Sequence, residues 1–154
     1  MSRILAVDLG TRRIGVALSD PTATIATPLE TITTPGGSAR RAAALLAELC
    51  RRHDVARVMV GWPRNMDGSR GAAALQAEAF AERLRTILAV PVELWDERLS
   101  TVAAERTLIE AGARREERRR SRDRVAAAVI LQGYLDARRG GLGQIESGHK
   151  EVRP

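Results

Sequence analysis

Aromatic side chains are scarce in this sequence of 154 residues, where they make up 3% of the chain. Proteins that hold single-stranded nucleic acid by stacking its bases need a platform of aromatic rings. The scarcity therefore argues against base stacking as a mode of recognition, and it leaves any sequence preference open.

Cysteine and histidine are nearly absent, since the chain carries only Cys50, His53 and His149. One cysteine cannot form a disulfide framework, and two distant histidines do not have the spacing of a metal site. Cys50 falls in a helical pattern of apolar residues, so we expect it to be a buried small hydrophobe. Both histidines are expected at the surface.

Long apolar runs are also missing. No run approaches the roughly 20 residues that a membrane helix needs, and the N-terminus lacks the pattern of a signal peptide. These features predict a cytoplasmic protein without a membrane partner. With 44% hydrophobic residues, the chain fits one domain with a core of its own. We expect that domain to span residues 1–137, followed by a disordered, glycine-rich tail at 138–154.

The usual nucleotide-binding and hydrolase motifs are absent as well. The sequence contains no G-x-G-x-x-G and no G-K-[ST], which weakens dinucleotide and P-loop interpretations. Ser100 has no nearby histidine to activate it, so a hydrolytic triad is unsupported.

Basic charge is abundant, with a net charge of +6 and Lys150 as the one lysine among 25 basic residues. Arginine matches phosphate in bidentate geometry, so the charge favours a nucleic-acid partner. Biased coding could also produce this composition, which makes the position of each arginine more informative than the total. Arg64 and Arg70 flank a turn-rich loop, and a dense run at 114–124 includes Arg118, Arg119, Arg120 and Arg122.

The loop at residues 62–71 precedes a helix that Ser69 could cap. Free N–H groups at such a helix N-terminus can hold a phosphate, with Arg64 and Arg70 beside it. An ordinary turn at Asp67 and Gly68 explains the same residues equally well.

The N-terminal stretch predicts a β-hairpin that presents a carboxylate. Residues 4–7 form an apolar run suited to a strand buried on both faces, and Asp8 follows it. After Gly10 apolar residues recur at every second position, as in a strand with one buried face. Asp8 fits either a ligand site at the end of a central strand or a turn in which Gly10 adopts positive φ. Whether other acids lie near Asp8 decides between these two roles.

Further acids end a later strand and begin the last helix. Residues 92–96 predict a strand that finishes in Asp96 and Glu97. Neighbouring side chains of a strand point to opposite faces, and the sequence leaves open which one faces a site. Asp123 lies on the apolar stripe of a helix expected to begin near Arg122. As an alternative, each acid could simply stabilise a helix N-terminus.

The element order predicts an α/β fold in the sequence β-β-β-α-β-α-β-α. Three antiparallel N-terminal strands are followed by parallel strands, which gives a mixed five-stranded sheet flanked by helices. Pro28 assigns the third strand to an edge, because proline cannot donate to the sheet ladder. If the first, fourth and fifth strands are adjacent, Asp8 and the pair Asp96/Glu97 meet at one edge.

Carboxylates gathered at one point repel each other unless cations neutralise them. Mg²⁺ suits such a place because it binds carboxylate oxygens and completes its shell with water and phosphate, and Mn²⁺ is an expected substitute. Two such ions could support hydrolysis of a phosphodiester.

Four motifs follow one another along the chain: VDLGTRRIGVALSD, GWPRNMDGS, WDERLST and the pattern D-x-x-A-A-x-x-I-L-x-x-Y-L, which begins at Asp123. In this order they resemble the YqgF/RuvX family, RNase H-like relatives of the RuvC Holliday-junction resolvases. The resemblance implies an RNase H-like fold. It also implies a nuclease that matures the 5′ end of pre-16S ribosomal RNA, with a resolvase role on branched DNA as the alternative.

The resemblance assigns catalysis and metal binding to Asp8, Glu97 and Asp123, with Asp96 as a competitor for the middle position. Arg12, Arg13 and Arg98 match basic positions of the motifs and are expected to contact phosphate. The arginine-dense run before Asp123 departs from the family pattern. This difference concerns how substrate is bound and not the chemistry of the site.

Two other functions stay open at this point. The chain could be a nucleic-acid-binding factor of ribosome assembly that cleaves little, as a monomer or a homodimer. The sequence DLGT also resembles the phosphate loop of actin-like and sugar-kinase ATPases. Those proteins need two such domains, and this chain supplies one, so the ATPase ranks last.

Overall fold

The computed structural model describes residues 3–10, 13–33, 38–65, 67–97 and 122–139, the last segment with side chains from residue 126 onward. The strands and helices of these segments are β1 Arg3–Leu9, β2 Arg13–Ser19, β3 Ala26–Thr33, α1 Ala39–Arg52, β4 Val55–Trp62, α2 Ala72–Ile87, β5 Val92–Asp96 and α3 Arg122–Arg139.

The five strands form one mixed sheet in the order β3-β2-β1-β4-β5. β1 pairs antiparallel with β2, and β2 with β3, whereas the pairs β1/β4 and β4/β5 are parallel. This arrangement confirms the predicted α/β sheet. Pro28 lies in the edge strand β3, as expected, beside a register shift between Val16 and Ala17 of β2. The shift fits the missing N–H of proline.

Side chains of the sheet alternate between two buried layers. On one face Leu5, Val7, Val58 and Val60 pack with residues of α1 and α2. On the opposite face Ala6 and Met59 pack with residues of α3. Because neighbouring residues of a strand point to opposite faces, residue parity decides which layer a side chain enters.

Helix α3 is joined to the beginning of β3 by Gln132, which is fully buried. Its Oε1 accepts a 2.8 Å hydrogen bond from the N–H of Ala26, and its Nε2 donates to the carbonyl of Thr24 at 3.1 Å. Arg139, the last residue of α3, donates to the same carbonyl at 2.9 Å. Residues 140–154 lie outside the described part of the chain.

Ala127, Ile130 and Tyr134 are all buried, which confirms the predicted apolar stripe of α3. Cys50 is buried in α1, as its spacing indicated. Burial raises the pKa of the Cys50 thiol to about 11, although Arg51 partly opposes this shift. None of the helices that the structure describes is long and apolar enough to cross a membrane.

The connection between β2 and β3 is organised by the carboxylate of Asp20. Its oxygens accept hydrogen bonds from the backbone N–H groups of Thr24 at 2.7 Å and Ile25 at 2.8 Å, and from the hydroxyl of Thr22. Ala23 adopts a φ of 56°, a left-handed conformation that these bonds help to hold. Burial is the largest single cause and raises the pKa of Asp20, but the hydrogen bonds from Ile25, Thr22 and Thr24 together outweigh it and lower the pKa from 3.8 to about 2.

We expect Asp20→Asn to lower the free energy of unfolding by about 1 kcal/mol at neutral pH, because solvent screens part of a charge-assisted network. An acid whose folded pKa is depressed contributes stability above its unfolded pKa and loses it as the pH falls through the folded value. The difference between parent and variant should therefore shrink from about pH 4 down to about pH 2. Chemical denaturation across that range measures it, and a constant difference would contradict the account.

Candidate active site

The ends of three parallel strands place two of the predicted acids on one face of the sheet. Asp8 lies near the end of β1, and Glu97 directly follows β5. Between them runs β4, in which Val60 is the register partner of Val7 and Gly61 that of Trp95. By alternation Asp8, Gly61 and Glu97 all belong to the face that α3 covers.

Gly61 leaves the space that the carboxylate of Glu97 occupies. A Cβ atom added at Gly61 would lie 2.8 Å from Oε2 of Glu97 and 2.9 Å from Cδ1 of Ile130. Both distances are shorter than real Cβ contacts, so any larger residue would push one of these groups away. Gly61 therefore lets Glu97 extend across β4 in the direction of Asp8.

The Glu97 carboxyl has a pKa raised from 4.5 to about 7. Burial is the largest cause, and the negative charges of Asp8 and then Asp96 raise the pKa further. The shift indicates that negative charge is concentrated here in a partly dehydrated place. A cation would relieve both penalties.

Asp96, the other acid of the pair, points to the opposite face with α1 and α2. It is 4% exposed, and its Oδ2 lies 3.5 Å from Nη1 of Arg64. Of the two acids that the sequence left open, Glu97 thus shares a face with Asp8, whereas Asp96 contacts the loop after β4.

That loop folds back on itself before α2 begins. The Asn65 N–H donates to the carbonyl of Ser69 at 2.9 Å, and the Gly68 N–H donates to the carbonyl of Asn65 at 2.8 Å. Gly68 has a φ of 89°, which glycine adopts at no steric cost. Two backbone hydrogen bonds among the described residues Asn65, Gly68 and Ser69 therefore close this turn.

The expectation that Ser69 caps α2 is wrong. The N-cap is Gly71, without a side-chain cap, and the Ser69 hydroxyl instead bonds to Asp67 at 2.6 Å. The preference of Asp for an Asx turn two residues before Ser69 competes with capping here.

Gly10 also differs from expectation, because its φ is not positive. It is required by close approach, since an added Cβ would lie 2.7 Å from the carbonyl oxygen of Arg13.

Among the arginines predicted to bind nucleic acid, Arg13, Arg64 and Arg70 are described. Arg13 is exposed at the start of β2, at the same sheet edge as Asp8. Arg70 is exposed and forms a 2.9 Å ion pair with Glu78. The structure does not describe Arg12, Arg98, Arg118, Arg119, Arg120 or the side chain of Arg122.

The side chain of Asp123 also lies outside the described part, although its backbone begins α3. Ile130, which approaches Gly61, follows it by seven residues, a rise of about 10 Å along the helix. Tyr134 follows one turn later, and its hydroxyl lies 3.3 Å from Arg57 at the opposite end of β4. The first turn of α3 is therefore the end that points in the direction of the strand ends bearing Asp8 and Glu97.

The residues present fit a divalent cation in their chemistry. Asp8 and Glu97 offer carboxylate oxygens, which Mg²⁺ and Mn²⁺ prefer, and the raised pKa of Glu97 reflects charge that a cation would neutralise. The described residues contain no group of three or more acidic, histidine or cysteine side chains placed to hold a metal.

Two features of this region escaped the sequence analysis. Gly61 is the last residue but one of β4, and a glycine inside a strand pattern is a known sign of close approach by another group. Glu78 of α2 accepts a 2.9 Å hydrogen bond from Nε1 of Trp62 and also pairs with Arg70. No spacing rule connects Glu78 with a residue of β4, because packing between the helix and the sheet brings them together.

Comparison with known proteins identifies the family. The sequence profile of RuvX, described as "Holliday junction resolvase", matches residues 2–137. The chain belongs to the RuvX family. It is 47% identical over 137 residues to a protein of Geobacillus kaustophilus (strain HTA426). The aligned part covers 89% of this chain and 99% of the relative. A protein of Symbiobacterium thermophilum is 52% identical over 136 residues, covering 88% and 93%. Both relatives carry the name "Putative pre-16S rRNA nuclease".

Among solved structures, the fold of this RuvX protein is similar to RuvC of T. thermophilus in complex with a Holliday junction substrate. The TM-score is 0.52 at 20% identity, with 91% of this chain and 97% of the other covered. The likeness confirms the RNase H-like fold that the sequence motifs implied. Family and named relatives together support a hydrolase that acts on nucleic acid.

We expect Gly61→Ala to lower the free energy of unfolding by about 1 kcal/mol, at the low end of overpacking costs, because the methyl group displaces the side-chain ends of Glu97 and Ile130 and no backbone. Introducing Glu97→Ala into the Gly61→Ala protein should recover part of that loss by removing the clashing carboxylate. Denaturant titration of the single and double variants measures the coupling.

Glu97→Gln is the matched control, because it removes the same charge but keeps the shape of the side chain. It should not relieve the contact with the methyl group introduced at position 61. Equal recovery from the Ala and Gln substitutions at position 97 would show that relief comes from lost charge alone, and that Glu97 does not extend over Gly61.

Proposed function

We propose that this chain is a divalent-metal-dependent nuclease that matures the 5′ end of pre-16S ribosomal RNA. The observation that carries the proposal is the placement of Asp8 and Glu97 on one face of the sheet. They lie on either side of β4, which has no side chain between them because the residue there is Gly61. The family match and the names of the relatives favour nucleic acid as the substrate.

In the proposed mechanism Asp8, Glu97 and Asp123 would hold Mg²⁺, or Mn²⁺ in its place. Such ions would supply charge stabilisation at the phosphate and a nucleophilic water at neutral pH. Asp8 is fixed by its position in a central strand, and Glu97 by the space above Gly61. These two carboxylates therefore keep their separation without help from the substrate. Asp123 would enter from the first turn of α3.

Binding of the nucleic-acid backbone is assigned to arginines around this sheet edge. Exposed Arg13 and Arg70 are the described members of this set. The remaining members are Arg12, Arg98 and the run Arg118, Arg119, Arg120 and Arg122. Their contribution would be electrostatic and largely independent of sequence, so affinity should fall steeply with salt.

Branched DNA is the second candidate substrate, because the family description names Holliday-junction resolution. Both substrates present phosphodiesters to the same carboxylates, so the chemistry proposed for the site is common to them. Association with assembling ribosomal subunits, a cytoplasmic location and a monomeric or homodimeric state accompany the RNA-processing proposal.

We expect Asp8→Asn to reduce cleavage by about 100-fold or more, because it removes a charged oxygen ligand from the reacting centre. The assay uses labelled pre-16S ribosomal RNA beside a four-way DNA junction, with Mg²⁺ or with EDTA. EDTA should abolish cleavage by the parent protein. The substrate that is cut in this assay decides between the two candidates.

Asp54→Asn provides the matched control. Asp54 precedes β4, at the opposite end of that strand from Gly61, and its φ of 55° is one that asparagine tolerates. This variant loses the same charge and should cleave like the parent. If Asp8→Asn cuts as fast as Asp54→Asn, the proposed site is wrong. Binding without cleavage, unaffected by EDTA, would instead support a non-cleaving assembly factor.

A further inference from the structure

Arg64 was expected to contact substrate phosphate, but its guanidinium is directed into the protein. Nε donates to the carbonyl of Gly68 at 3.1 Å, and Nη2 donates to the same oxygen. Nη1 lies 3.5 Å from Oδ2 of Asp96. All three nitrogen atoms thus face partners within the chain.

The flat face of the same guanidinium stacks on an aromatic ring. Its Cζ lies 4.8 Å from the centroid of Trp62, whose Nε1 in turn donates to Glu78 of α2 at 2.9 Å. The Arg64 side chain is 28% exposed, about half the exposure of the Arg70 side chain, which is 53% exposed. Stacking and hydrogen bonding together fix the plane of the guanidinium.

These contacts connect two segments that border the site. The Gly68 carbonyl belongs to the closed turn before α2, and Asp96 is the last residue of β5, immediately before Glu97. A shift of the turn would therefore move the planar guanidinium of Arg64 and, through it, Asp96, the residue next to Glu97. Lysine could not replace this arrangement, since a single ammonium group cannot stack flat and donate in two fixed directions.

We propose that Arg64 is a positioning residue, which holds the turn closed by Asn65, Gly68 and Ser69 in a fixed relation to the end of β5 through Gly68 and Asp96. The proposal rests on the proposed nuclease function, because the positioned group is Glu97. Arg64 acts on the reaction through Asp96 and does not contribute to substrate affinity. Arg70, six residues later and exposed, is the arginine of this loop that contacts phosphate.

The test compares Arg64→Lys and Arg64→Gln with Arg70→Gln. Both Arg64 variants should lower kcat by about 10- to 100-fold, as expected when a reacting group is misplaced by about 1 Å. Their Kd for labelled RNA and the slope of log K against log salt should match those of the parent. Arg70→Gln should keep kcat, weaken binding and reduce the salt slope by about 1.

A role in phosphate contact predicts the reverse for Arg64. Arg64→Lys would then retain activity because the charge is kept, and Arg64→Gln would lose about one unit of salt slope at unchanged kcat. Either result overturns the proposal. Asp96→Asn should lower kcat as Arg64→Gln does, and the double variant should be no worse than the single variants. Additive losses would contradict a shared contact.

Hydrogen exchange separates this proposal from that of the nuclease. The Gly68 amide, which bonds to the Asn65 carbonyl, should exchange faster in both Arg64 variants and at the parental rate in Arg70→Gln. If the parent protein cuts neither substrate, the nuclease proposal fails. Faster exchange in the Arg64 variants would then still show that Arg64 stabilises the turn. Parental exchange in both Arg64 variants would overturn the role of Arg64 even if the nuclease proposal holds.

Discussion

The arrangement of the site depends on two carboxylates that approach one another across a strand without a side chain. Like charges in a partly dehydrated place are unfavourable, as the pKa of Glu97 near 7 indicates. The fold maintains this arrangement by rigid means, since Asp8 lies in a strand paired on both sides and Glu97 occupies the space above Gly61. Repulsion that is built into a folded site provides a place where a cation binds favourably.

Alternation along β5 gives two adjacent acids different surroundings. Glu97 lies on the face of α3 with Asp8, whereas Asp96 lies on the face of α1 and α2 and contacts Arg64. A single strand end thus serves the carboxylate site on one side of the sheet and the supporting loop on the other. The same loop is linked to α2 through the hydrogen bond from Trp62 to Glu78, so the layer of α1 and α2 holds the loop.

Much of the fold could be predicted because its signals are local. The apolar run of β1, the period of two in β2, the proline in the edge strand β3 and the apolar stripe of α3 are each visible in nearby residues. The strand order then follows from short connections and helical crossovers. The meeting of Asp8 with the Asp96/Glu97 pair at one edge was predictable for the same reason.

The rest of the site depends on contacts between distant residues. Whether Asp96 or Glu97 faces Asp8 could not be read from the sequence, because it depends on how regular the strand remains at its end. The competition for Ser69 between capping α2 and bonding to Asp67 was settled by the turn around Gly68. Arginine content indicated an anionic partner but could not separate Arg64, which faces inward, from exposed Arg70.

The most direct test of the account is the location of a bound metal by anomalous diffraction from crystals soaked in Mn²⁺. The account predicts an anomalous peak within coordination distance of carboxylate oxygens of both Asp8 and Glu97, on the sheet face that α3 covers, and no peak at Asp96. A peak at Asp96, or none near Asp8 and Glu97 at saturating Mn²⁺, would contradict the claim that these carboxylates form a metal site.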